Sequence, residues 1–320
     1  MQPVPAPSRS ARPGQTPLLR IGTRGSPLAL AQAHEVRDRL AAAHGFASEA
    51  AEIVVFTTTG DKIATRPLAE IGGKGLFTQE LEEALLGGGI DIAVHSSKDM
   101  PTLVPDGLAF AHFLPREDVR DAWIGRDGAR LADLPAGAVV GTASLRRGAL
   151  VKRVRPDLHV ANFRGNVQTR LRKLGEGAAD ATLLALAGLK RLGMREVATE
   201  IFDLDAFPPA PGQGAIGIET RAGDARIAAL LAPISDAATA TALGAERALL
   251  AALDGSCRTP IAGHAVIEGS GIRLHGLILK PDGSVWHETR LAGPVGDAVA
   301  IGRAAGEDLR RRGGPDFFTA

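Results

Sequence analysis

The chain has a single cysteine, Cys257, in 320 residues. That scarcity excludes any disulfide within the molecule and suits a reducing compartment. Long apolar runs are missing as well: the longest, residues 181–189, falls far short of the roughly 20 residues that a membrane-spanning helix requires. Residues 1–17 carry Pro, Ser and Gln with Arg9 and Arg12 but no apolar core of a secretory signal, so they read as a disordered extension. A cytoplasmic protein without a membrane partner is expected. An excess of charge of one sign is also absent. Thirty-seven Lys and Arg against 36 Asp and Glu leave +1, so any basic site has to be local. There is no His-x-x-x-His and no second cysteine beside Cys257, and the eight histidines are scattered, so no metal site is expected. Gly72-Gly-Lys-Gly75 does not have the spacing of a nucleotide-binding P-loop.

What is present is a globular composition, 45% hydrophobic and 23% charged, at a length that suits two domains, or three if one is small. From Leu18 the pattern alternates. Residues 18–22 read as a strand, Ser26-Pro27 as a helix start with the hydroxyl at N-cap and proline at N1, and Ala29, Ala33, Val36 and Leu40 as that helix's inner face. Residues 53–56 and 90–94 read as further strands. Between them lies a helix that opens at Gly72-Gly-Lys-Gly75 and carries Phe77, Leu81 and Leu85. After the Pro115-Arg-Glu-Asp118 joint a similar array follows, with strands at 139–141, 158–163 and 181–186 and helices from Ser144 and over 167–174. Pro208-Pro-Ala-Pro-Gly-Gln-Gly214 is a second linker, and residues 215–219 are one more strand. The expected fold class is therefore α/β with mainly parallel sheets. Residues 18–114 with 215–234 make one domain, and residues 115–214 make a second with a linker at each end. Residues 235–320 form a small α+β domain: an alanine-rich helix with Leu243, Leu250 and Leu253, a three-stranded antiparallel sheet, and a helix over 297–311.

Chemistry gathers at the strand ends, where open α/β sheets take their ligands. The strand at 90–94 runs into His95-Ser-Ser-Lys-Asp99, and Pro101 ends the segment. Asp99 taken alone reads first as a loop acid, solvated or paired with Lys98. Between Gly141 and Lys173 nine cations face one acid, Asp157, which points either to a polyanionic partner or to a solvated basic face. Arg164 and Arg170 flank the Gly165-Asn166 turn, and arginine's planar fork suits carboxylates and phosphates. Lys74 with the Gly72–75 turn, and Arg24 with Ser26, supply donors at other helix starts. Cys257 sits in a loop between Gly255 and Pro260, beside Arg258, whose charge lowers a thiol's pKa; a small buried apolar cysteine is the alternative.

His95-Ser-Ser-Lys-Asp99, Gly72-Gly-Lys-Gly-Leu-Phe77, Leu145-Arg-Arg147, Arg164-Gly-Asn166, Gly212-Gln-Gly214 and Gly255-Ser-Cys257, in this order, closely resemble the porphobilinogen deaminase family, over residues 19–310. The resemblance implies two hinged periplasmic-binding-protein-like domains and a third, small one. It implies a monomeric transferase of porphyrin and haem biosynthesis that joins four porphobilinogen molecules head to tail into hydroxymethylbilane, releasing ammonia. It also implies a dipyrromethane cofactor held as a thioether, here by Cys257. By motif position Asp99 is the catalytic acid, and Lys98, Thr142, Ser144, Arg146 and Arg147 hold the cofactor. Arg24, Ser26, Gln32, Lys74, Phe77, Arg164 and Arg170 meet substrate, and Arg247 is a further candidate from the third domain. Ala143 and Ser256 depart from the serine and glycine common in the family. Two rivals differ in kind. A non-catalytic hinged binder of a carboxylated ligand leaves Cys257 without a task, and a nucleic-acid binder would bind with steep salt dependence.

Overall fold

The computed structural model describes residues 17–62, 78–255 and 259–318. The expectations for residues 1–16, for the Gly72–75 turn with Lys74, for Phe77, and for the loop of Ser256, Cys257 and Arg258 lie outside them. The first sheet is built from β1 (Leu19–Arg24), β2 (Ala51–Phe56), β3 (Ile92–Ser96) and β4 (Leu108–Phe113), with helices α1 (Pro27–His44), α2 (Thr59–Lys62) and α3 (Gln79–Leu86). The second contains β5 (Asp121–Gly125), β6 (Val139–Gly141), β7 (His159–Ala161), β8 (Ala181–Ala185) and β9 (Glu200–Ile201). Its helices are α4 (Leu145–Val154), α5 (Val167–Gly175) and α6 (Leu186–Arg191). The chain then returns. β10 (Ile216–Arg221) enters the first sheet and α7 (Ala225–Leu231) follows it.

The first sheet has the order β2-β1-β3-β10-β4 and the second β7-β6-β8-β5-β9. In each, one strand runs against its neighbours: β10 is antiparallel to β3 and β4, and β5 to β8 and β9. The sheets are therefore more mixed than strand-helix alternation suggests. Each reversed strand is the first that the chain forms after a crossover between lobes. The third unit is α8 (Ala237–Ala252), the antiparallel meander β11 (Ile261–Glu268), β12 (Gly271–Leu279) and β13 (Trp286–Pro294), and α9 (Ala298–Gly313).

Local signals place the helix starts. Ser26 accepts the Ala29 N–H at 3.3 Å with Pro27 at the first helical position, and Gly45 closes α1 at φ 70°. Ala33, Val36 and Leu40 are buried as their spacing requires, and Ala29 is half-buried. Leu81 and Leu85 of α3 are fully buried. In α8 it is Leu243 and Leu249 that reach the core, while Leu250 is half-buried. Among the described residues no single helix is long and apolar enough to cross a membrane.

The crossovers meet at one buried ion pair. Arg116 lies between β4 and β5 and donates Nη1 and Nη2 to the two carboxylate oxygens of Glu246 on α8, at 2.6 and 2.9 Å. Glu246 is fully buried and also accepts the N–H of Gly212, at 2.7 Å, and of Ala265 on β11, at 2.8 Å. Gly212 has φ +77°, and a side chain there would stand 3.0 Å from the Lys98 nitrogen, so the returning crossover can pack onto the loop after β3 only with glycine in place. Arg116→Met should lower stability in urea by about 3–5 kcal/mol, because it leaves a buried acid without its partner. Arg172→Met, which breaks an exposed pair with Glu176, should stay within about 0.5 kcal/mol of the wild type. Equal unfolding curves for the two variants would show that the buried pair is not what joins the crossovers to α8.

Candidate active site

The lobes and the third unit enclose a cleft of about 740 Å³. β1 brings Arg24 and Ser26 to it, the turn after β3 brings Lys98 and Asp99, and the start of α4 brings Ser144, Arg146 and Arg147. The loop into α5 adds Arg164, and α5 itself adds Arg170 and, one turn later, Lys173. Seven cationic side chains thus line the cleft, and among the described residues Asp99, which is exposed to it, is the one acid on the wall. Such a donor set takes a ligand with several carboxylates.

Behind the wall lies an acid that sequence reading did not single out. Asp121, the first residue of β5, is fully buried, with Arg146 Nη2 2.8 Å from one oxygen and Arg147 Nη2 2.7 Å from the other. Burial works to raise its pKa, but the two guanidiniums, with hydrogen bonds from Arg147 and Gln213, outweigh it and hold the carboxyl well below the usual range. Gln213 joins the parts. Its Nε2 donates to Asp121 Oδ1 and to the Val119 carbonyl, both at 2.8 Å, and its Oε1 accepts from Lys98 Nζ at 3.3 Å. Gly212-Gln-Gly214 was legible as a linker, but nothing in its spacing marks the amide as a site residue.

Capping orders the remaining groups. Ser144 accepts the Arg147 N–H, and Asn166 accepts the Thr169 N–H at 2.8 Å. Arg170 donates Nε to the Gly165 carbonyl at 2.9 Å and Lys173 donates to the Arg164 carbonyl at 3.1 Å, so the turn is held by the cations it presents. Two expected contact residues stand back from the cleft. Thr142 is buried and its hydroxyl accepts the Ser144 N–H at 3.1 Å; Gln32 is buried and hydrogen-bonded to Ser96 at 2.9 Å. Both support the loops that carry the wall. Arg247 faces elsewhere: it donates to the carbonyls of Pro101 and Thr102 and lines a different groove.

Burial and the crowding of positive charge act together on two of these cations. Burial lowers the Lys98 ammonium, the Arg147 guanidinium adds to that, and Asp99 opposes it, bringing the pKa from 10.5 to about 8. Burial, again with Arg147, brings the Arg170 guanidinium down to about 10 against the pull of Asp99. An anion in the cleft would oppose both shifts, as Asp99 does.

A two-lobed α/β protein with a cationic cleft shaped for a polycarboxylate is the class that fold and site define. The comparisons make it specific. The model described as "Porphobilinogen deaminase, dipyromethane cofactor binding domain" matches residues 19–229, and that for "Porphobilinogen deaminase, C-terminal domain" matches residues 240–311. A porphobilinogen deaminase of Nitrobacter winogradskyi is 60% identical over 302 residues, 94% of this chain and 96% of that one. The chain belongs to the porphobilinogen deaminase family. Solved structures that overlap it include a Salmonella typhimurium periplasmic binding protein with high arginine specificity, at TM-score 0.37, 13% identity, and 69% and 93% coverage of the two chains. A probable amino-acid transporter extracellular-binding protein of Bacillus subtilis overlaps at TM-score 0.39, 12% identity, and 68% and 89% coverage.

The cleft fits the family's cofactor. A dipyrromethane offers two rings with four carboxylates to a wall where cations outnumber acids seven to one. Among the described residues the buried Nε of Arg146 has no hydrogen-bond partner. Thr259, two residues along the chain from Cys257, and Ile261 of β11 form part of the same wall. At pH 8 about half of the Lys98 amines should be uncharged in a chain without cofactor, against well under a tenth of an ordinary lysine's. Acetic anhydride should then label Lys98 ahead of half-buried Lys152, and citrate should protect it; peptide mass mapping with equal labelling of the two would refute the shift.

Proposed function

We propose that this chain is a hydroxymethylbilane synthase, an ammonia-releasing transferase that condenses four porphobilinogen molecules into the linear tetrapyrrole hydroxymethylbilane. The observation that carries the reading is a cleft in which, among the described residues, seven cations surround one wall acid, Asp99, with Thr259, two residues along the chain from Cys257, on the same wall. The chemistry balances: four porphobilinogens and one water give one hydroxymethylbilane and four ammonia molecules. Dipyrromethane, held as a thioether on Cys257, the only thiol in the chain, supplies when bound the free α-carbon from which the product is built.

The protein's own groups do the rest. When ammonia leaves porphobilinogen, a methylene pyrrolenine cation remains on the substrate. The Asp99 carboxylate stabilises that cation through the pyrrole nitrogen and takes part in moving the proton lost once the new carbon–carbon bond has formed. Lys98, Ser144, Arg146 and Arg147 bind the carboxylates on the cofactor side, and Arg24, Ser26, Arg164 and Arg170 those of the incoming substrate. Lys74 and Phe77 belong with the substrate set by motif position. Thr142 and Gln32 act by positioning the Ser144 and Ser96 turns. We assign porphobilinogen as substrate and a cytoplasmic monomer as the working form, and the domain limits given above are the units proposed to move.

Two measurements test this. The intact chain should be heavier than its sequence by one dipyrromethane, and Cys257→Ser should have the bare polypeptide mass; a bare wild-type mass in an active preparation would sink the tether. Asp99→Asn should keep its circular dichroism and melting point while porphobilinogen consumption falls about a hundred- to ten-thousand-fold, the range of a lost acid–base group. Near-normal turnover in that variant would mean that the acid lies elsewhere.

A further inference from the structure

A second recess of about 710 Å³ lies between β4 and helices α8 and α9, with Thr102 on its wall. Its volume is within the roughly 300–1,000 Å³ of small-molecule sites. Ala240, Gly244, Ala248 and Ala251 of α8 succeed one another along its wall, and their small side chains leave the room. Phe110 and Phe113 of β4 face them, edge to face with ring centres 5.0 Å apart. The charge is again one-sided. Arg247, Arg303 and Arg310 line the recess against one acid, Glu307. Arg310 reaches Asp254 only at 3.8 Å, and among the described residues neither Arg247 nor Arg303 has a carboxylate partner.

Arg247 connects this recess to the reaction. Its guanidinium lies 5.2 Å from the centre of the Phe110 ring, inside the recess, and its Nη2 donates to the carbonyls of Pro101 at 2.9 Å and Thr102 at 2.8 Å. Those carbonyls follow directly on the turn that carries Asp99. An anion that draws the guanidinium toward itself must change the hydrogen bonds that hold this loop.

We propose that the recess between β4, α8 and α9 is a second ligand site, for a small organic anion with an apolar, ring-bearing body, and that Arg247 transmits its occupation to the Asp99 loop. The aromatic pair and the alanine face take the body, and Arg303, with Arg247 beneath it, takes the anionic group. Binding stands without the reaction assigned above; only the transmission rests on that assignment.

The probe is 8-anilinonaphthalene-1-sulfonate, titrated by fluorescence into the cofactor-loaded protein. Saturating porphobilinogen should not displace it. Arg303→Glu should weaken it by about tenfold or more, the order of one charge-assisted hydrogen bond. Ala111→Trp, which fills the recess from the exposed face of β4, should abolish it. Both variants should turn over normally without the probe. With it, kcat should fall in the wild type and not in Ala111→Trp. Displacement by porphobilinogen, or wild-type binding in both variants, overturns the site; unchanged kcat at saturation overturns the transmission. Self-association of the wild type that Ala111→Trp abolishes would give the recess to a second copy of the chain and overturn the proposal as well.

Discussion

Glu246 is the constraint on which the arrangement depends. A fully buried carboxylate is tolerable only when donors surround it, and here the donors come from three separate stretches of chain, at Arg116, Gly212 and Ala265, and meet on an acid carried by a fourth, α8. Both crossovers between lobes and the third unit's sheet are thereby fixed to one point. The consequence reaches the cleft at once, because Gly212 precedes Gln213, and Gln213 joins Asp121 to Lys98. Arg116 reinforces this by donating Nε to the Gln213 carbonyl at 2.9 Å. Pulling α8 away would therefore unseat the amide that aligns the two halves of the positive wall.

That wall is held at a cost. Arg146 and Arg147 are nearly fully buried and share one acid, so the cluster on the protein's side carries a net positive charge even after Asp121 is counted. Burial lowers the pKa values of Lys98 and Arg170, and the same excess of positive charge, through Arg147, lowers them further. Repulsion of this kind is relieved by anions, and a ligand with a carboxylate pair on each ring brings them where they are lacking. Stability gained through a bound group that the unfolded chain does not hold follows directly. Asp99 keeps its place among so many cations because it does not have to neutralise them; Asp121 takes the two most buried.

The parts legible in the sequence were the local ones. Ser26, Ser144 and Asn166 cap helices within three residues of themselves, and the meander of β11 to β13 follows from its own turns. The motifs after β3 and at the starts of α4 and α5 could be placed at strand ends by alternation alone. What pattern could not reach was pairing between distant residues. Arg116 with Glu246 spans 130 positions, Lys98 with Gln213 spans 115, and Arg147 with Asp121 spans 26 across a change of strand direction. An acid at the start of β5 looks like any surface acid until the arginines are seen to turn inward onto it. Thr142 and Gln32 were close to the site in sequence and still belong behind it, because burial is decided by the fold. Arg247 was expected near substrate; its helix presents it to Pro101 and Thr102 instead.

The contacts between the two lobes are of a different quality from those at Glu246. Across that boundary Arg191 meets Glu35 at 3.2 Å, and Lys190 pairs with Glu117 at the crossover, both partly exposed. Exposed pairs contribute roughly 0–1 kcal/mol each, whereas uncoupling a buried one costs about 3–5. Leu28 of the first lobe lies over Gly188 of the second, where an added Cβ would stand 3.3 Å from it. Widening the cleft therefore breaks weak interactions and leaves Glu246 with all its donors, because Arg116 and Gly212 lie on the crossovers and not on either sheet. A growing carboxylated chain needs room while its attachment point stays fixed. The distribution of buried charge provides for both, with compliance between the lobes and rigidity between the crossovers and α8, which leads to Gly255 and on to Cys257.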